Sequence, residues 1–124
     1  MNKKRPVNLD LGTLKFPVMA IASIFHRISG IVLFLLLPFI LYFWGQSLHS
    51  EAAFLQVKAD LSVPLFQILI WAFGTAFIYH TLAGIRHVIM DLGYGESLCA
   101  GRRSAALVIA LAVISTLLLG VWLW

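Results

Sequence analysis

Two short runs of this sequence carry the residues that could do chemistry. The first is 23–30, Ser-Ile-Phe-His-Arg-Ile-Ser-Gly. The second is 80–87, His-Thr-Leu-Ala-Gly-Ile-Arg-His, with Asp91 a helical turn beyond. On a helix, Ser23, Arg27 and Gly30 share one face (i, i+4, i+7), while His26 projects about 100° away from Arg27. In the second run His80, Gly84, His87 and Asp91 form one stripe, and the glycine between two imidazoles leaves room for a flat group to lie against the helix.

His80 stands six residues before Arg86, roughly 9 Å along a helix, inside an uncharged stretch. An imidazole held that deep in lipid needs a hydrogen-bond partner or a metal. Two readings stand on the residues alone. His80 either joins two helices by a hydrogen bond or is an axial ligand to haem iron, for which histidine nitrogen is a common donor. Haem propionates would need cationic partners near the aqueous edge, and His26, Arg27, Arg86 and His87 all have suitable depth. The absence of a Cys-x-x-Cys-His run excludes covalent attachment. A single cysteine, Cys99, excludes an internal disulfide and any cysteine-ligated iron–sulfur cluster held by this chain alone.

The elements that must position these groups are dictated by composition. Of 124 residues, 61% are apolar and 11% charged, against about 45–50% and 25% in soluble domains. A chain this short cannot hide so much apolar surface from water, so lipid is its natural surround. Three stretches free of Lys, Arg, Asp and Glu, 28–50, 61–85 and 104–124, are long enough to cross a bilayer. The expected fold is an all-α membrane protein with three transmembrane helices over 28–124, preceded by a segment 1–27 that leads into the first span. Pro64 suits the first turn of a helix, and membranes tolerate the kink that Pro38 would cause. Lys3, Lys4, Arg5, Lys15 and Arg27 precede the first span, and Arg86, Arg102 and Arg103 lie between the second and third. The loop between the first two spans has only Lys58 as a basic residue. This bias places the N-terminus in the cytoplasm and Trp124 on the far side. The net charge of +4 is therefore a topology signal and not a sign of nucleic-acid binding. Tyr42, Trp44, Trp122 and Trp124 fit an interfacial aromatic belt.

The run 23–30 and the longer run 80–93, together with Arg-Pro-Val-Asn-Leu-Asp-Leu at 5–11, resemble the cytochrome b556 membrane anchors of succinate dehydrogenase, respiratory complex II. The resemblance implies a chain in the bacterial inner membrane, C-terminus periplasmic, built into a heteromeric helix bundle. It implies that His80 is an axial ligand of haem b, shared with a second small anchor subunit that gives the opposite histidine. Ser23 and Arg27 match positions that help form a ubiquinone pocket. His26 matches a position near the haem propionates, and only a weak supporting role passes to His87 and Asp91. Segment 5–11 resembles the part that packs on partner subunits. Those partners are an iron–sulfur subunit and a flavoprotein subunit, on which succinate is oxidised. The competing reading is a haem-free, structural anchor of a related respiratory oxidoreductase such as a fumarate reductase. Di-haem anchors of that kind usually need four intramembrane histidines, and only His80 qualifies clearly here.

Overall fold

The computed structural model describes residues 17–124. They form four helices: α1 (Val18–Ser47), α2 (Glu51–Asp60), α3 (Pro64–Asp91) and α4 (Leu98–Leu123). Helices α1, α3 and α4 are each long and apolar enough to cross a membrane. They run up, down and up: α1 meets α3 through His26–His80 at one end and Phe39–Phe66 at the other. Arg86 reaches Gly101 at the first of these ends, and Gln67 reaches the Leu123 carbonyl at the second.

Helix ends differ from the charge-free spans because the backbone does not stop at the first charged side chain. α1 begins ten residues before position 28, so Ser23, His26 and Arg27 are helical and the expected division between 27 and 28 falls inside it. α3 continues through Arg86 and His87 to Asp91. It stops because Gly93 takes a left-handed φ of 93°. There Gly93 N–H donates to the Met90 carbonyl and Tyr94 N–H to the Ile89 carbonyl, the double reversal that satisfies the last carbonyls of a helix. Pro64 opens α3 at its first turn, as expected, and Pro38 is accommodated within α1. The short helix α2 was not expected from span reading. Ser50 caps it by accepting from Ala53 N–H at 3.0 Å; Glu51 in its first turn and Lys58 in its last complement the helix dipole.

Where helices touch, side chains are small. Ala22 and Ser29 of α1, Ala76 and Ala83 of α3, and Gly101, Ala105 and Ala112 of α4 are buried. Small residues let backbones approach closely, which is what holds helices together where lipid tails are as apolar as leucine. Tyr79, Ala83, Val108 and Ala112 form the core cluster. The large apolar side chains point outward: Phe34 is 77% exposed and Trp122 80%. Interhelical hydrogen bonds finish the packing. Tyr79 hydroxyl donates to the Ala22 carbonyl, and Trp71 Nε1–H donates to the Thr116 carbonyl at 2.9 Å.

Candidate functional site

At the end where α1 begins and α3 ends, three imidazoles gather. The rings of His26 and His80 stack with centroids 4.3 Å apart and planes within 6°. His87 tilts against His26, at 5.4 Å and 50°. The His80–Gly84–His87 stripe therefore faces α1, and the flat ring beside Gly84 is that of His26. A Cβ on Gly84 would lie 3.8 Å from His26 Nε2, an ordinary contact. Gly30 is placed under tighter demand: a Cβ there would meet His80 Cε1 at 3.2 Å. The missing side chain at position 30 lets the His80 ring lie directly on α1.

His80 Nδ1 lies 3.0 Å from Ser29 Oγ and 3.2 Å from the His26 carbonyl oxygen. Ser29 Oγ–H in turn donates to that same carbonyl at 2.7 Å. A carbonyl oxygen only accepts, so with the serine hydrogen given to the His26 carbonyl, a proton on Nδ1 is the assignment that satisfies both contacts to the imidazole. This tautomer leaves the lone pair on Nε2, the atom through which a histidine so held can ligate a metal. The donor chemistry of His80 thus fits a single axial nitrogen. Among the described residues no three His, Cys, Asp or Glu side chains converge on one point that could hold a bare metal ion. Two of the rings stack and the third tilts against one of them; they do not form a chelate.

The remaining predicted residues are distributed around this cluster. Ser23 is half-buried and Arg27 exposed, one turn apart on the α1 face that also carries Gly30. His26 is half-buried between that face and α3, whereas His87 and Asp91 are exposed along the last turns of α3. Arg86, at a depth that suits propionates, is turned instead to α4. Its Nε–H donates to Ser104 Oγ at 2.9 Å and an Nη2–H to the Gly101 carbonyl at 3.2 Å. From His80 to Arg86 is about 600° of helical rotation, so the two leave α3 in different directions. Segment 5–11 lies outside the described residues.

Ser29, within the run 23–30, belongs to the cluster although motif spacing does not single it out. Its signal is positional: with Ala22 two turns earlier it marks the buried face of α1, and a serine on that face must find a partner. Tyr79, adjacent to His80, is likewise unmarked by the motifs, and its signal is that a tyrosine in a span needs an acceptor for its hydroxyl. A space of about 600 Å³ opens between α1, α3 and α4 next to this cluster, lined by Phe25, Ser29, Trp71, Tyr79, Ile109, Val113 and neighbours. It carries no imidazole or cation and suits hydrocarbon, not a quinone head.

Comparison with known proteins agrees with this layout along nearly the whole chain. The family model described as succinate dehydrogenase/fumarate reductase transmembrane subunit matches residues 1–119. The succinate dehydrogenase cytochrome b556 subunit of Coxiella burnetii is 45% identical over 125 aligned positions, covering 100% of both chains. That of Rickettsia prowazekii is 32% identical, covering 95% of this chain and 92% of its own. The succinate dehydrogenase cytochrome b560 subunit of Reclinomonas americana is 37% identical, covering 95% of this chain and 85% of its own. With three helices able to span a bilayer and a match that runs from the first residue almost to the last, this multi-pass membrane protein belongs to the family of succinate dehydrogenase/fumarate reductase transmembrane subunits.

Proposed function

We propose that this chain is the haem b-bearing membrane anchor of a succinate dehydrogenase and forms part of its quinone-reducing site. The observation that carries the reading is the hydrogen bonding of His80: Nδ1 is occupied by Ser29 and the His26 carbonyl, so Nε2 is the free donor. The names of its relatives, cytochromes b556 and b560 of succinate dehydrogenase, point to the same group. Haem b, when bound, carries single electrons. His80 would hold its iron on one side and a histidine of a second anchor subunit on the other, while His26, Arg27 and His87 supply polar or cationic groups for the propionates. Gly30 and Ser29 hold the His80 ring in place, and the stacked His26 ring keeps lipid from one of its faces.

Quinone reduction would use the neighbouring face of α1. A quinone carbonyl oxygen becomes more negative as electrons arrive, and a fixed guanidinium stabilises that charge far more beside lipid than in bulk water. Arg27 supplies the charge, and the Ser23 hydroxyl can donate to a carbonyl oxygen from one turn away. Two protons are taken up on reduction to quinol, so the pocket must border water, as the exposed Arg27 does. Cys99 is the only cysteine, so the iron–sulfur clusters, and the flavin that oxidises succinate, belong to partner subunits. The basic residues around this end support a cytoplasmic location for it, in what this reading takes to be a bacterial inner membrane.

The same contacts favour a second reading, in which His80 only joins α3 to α1 through Ser29 and the His26 carbonyl. Purification of the intact assembly in mild detergent separates the two. Subunit masses and a pyridine-haemochrome assay on one sample should give four kinds of subunit and one haem per copy of this chain. An assembly with full succinate–quinone activity and no haem would establish the structural reading instead.

A further inference from the structure

We infer that Ser29 is a positioning residue for the axial ligand, setting the tautomer, ring orientation and basicity of His80. The inference rests on His80 being the haem ligand, and it concerns a residue to which neither motif reading gave a role. Ser29 is 6% exposed, on the face of α1 that packs into the bundle. Serine in the middle of a helix commonly returns its hydroxyl hydrogen to a carbonyl one turn back, and Ser29 does so to His26 at 2.7 Å. That bond alone would need no explanation. What sets Ser29 apart is that the oxygen is used a second time, as the nearest acceptor for His80 Nδ1 at 3.0 Å across the helix interface.

The two bonds act in series. Donation to the His26 carbonyl polarises the hydroxyl and makes its oxygen a better acceptor. A stronger bond from Nδ1–H to that oxygen pushes electron density toward Nε2 and makes it a stronger donor to ferric iron. The geometry also fixes rotation about the His80 side chain, because Nδ1 is held at two points, Ser29 Oγ and the His26 carbonyl. Gly30, adjacent to Ser29, supplies the clearance for the ring to reach both. Partners of a ligating histidine typically matter about 10- to 100-fold in metal affinity or activity.

The test compares wild type, Ser29→Ala and Ser29→Thr in the purified complex by haem redox titration and by low-temperature paramagnetic resonance of the ferric haem. Alanine removes one oxygen and leaves a small residue that the interface can hold; threonine restores the hydroxyl. With alanine, ferric affinity should fall about tenfold relative to ferrous. This raises the midpoint potential by about 59 mV for a one-electron couple and shifts the low-field g value. Threonine should return both toward wild type. An alanine variant with unchanged potential and unchanged g values, in a complex that retains its haem, overturns the inference while leaving His80 as the ligand. Absence of haem from the wild-type complex would overturn the underlying assignment as well.

Discussion

Chemistry at the residue scale is divided between two faces of α1. Ser29 holds the His80 ring, and in the proposed function Arg27 with Ser23 would face the place where charge develops on a quinone. The two duties predict separable phenotypes. Arg27→Leu should lower succinate–quinone activity about a hundredfold, the size of effect expected when one donor to a developing oxyanion is lost. It should leave succinate oxidation by a water-soluble dye unchanged, because that reaction ends before the membrane. Parallel assays with the two acceptors check this, and equal loss of both activities would make Arg27 structural. The site is partly legible in the residues: the two polar runs lie at the same end of antiparallel neighbouring spans, and His80, His26 and His87 come together there. Ser29 is not, because a serine bonded to its own helix and a serine bonded across helices look alike in one dimension. Arg86 shows the converse limit. Depth along a helix is read by counting residues, but direction depends on which neighbour packs there, and α4 claims the guanidinium.

Among the elements, α3 does most to organise the site, and its two ends were unequally readable. Its start is signalled by Pro64. Its end, six residues past the expected boundary at 85, is set by Gly93 and not by the first arginine, so a criterion built on charge stops early. Helix α2 is hidden for a related reason: a ten-residue helix with Lys58 and Asp60 carries no span signal, and its evidence is the Ser50 cap with Glu51 behind it. One turn of α3 fastens α1 on two sides, through His80 and through the Tyr79 hydroxyl on the Ala22 carbonyl. Tyr79→Phe removes only the hydroxyl. It should destabilise the α1–α3 contact by about 0.6 kcal/mol, the average for interhelical hydrogen bonds in membranes, without altering the haem spectrum. Denaturant titration of the complex in detergent measures the first, and an altered spectrum would mean that Tyr79 acts on the ligand directly.

For the whole molecule, three spans and their antiparallel order followed from charge-free stretches alone, since lipid permits few ways for an apolar chain of this length to satisfy its backbone. The membrane sidedness inferred from eight basic residues at one end and Lys58 at the other is open to direct measurement. Cys99 is exposed at the start of α4, between the last turn of α3 and the Arg102–Arg103 pair. A membrane-impermeant maleimide should label it in inverted membrane vesicles and not in intact spheroplasts. Labelling in spheroplasts would invert the topology and move the quinone face to the opposite side. The sequence could not specify the partner surfaces, because an outward-facing Phe34 reads the same whether lipid or a neighbouring subunit covers it.

The proposed bond from His80 Nε2 to iron is addressed most directly by paramagnetic resonance of the ferric haem in the purified complex. Replacement of His80 by alanine or methionine should abolish the low-spin signal of two axial imidazoles or move its g values to those of a different ligand pair. A signal identical to wild type, at the same haem content, would show that the iron is held by another residue and that His80 serves the helix interface alone.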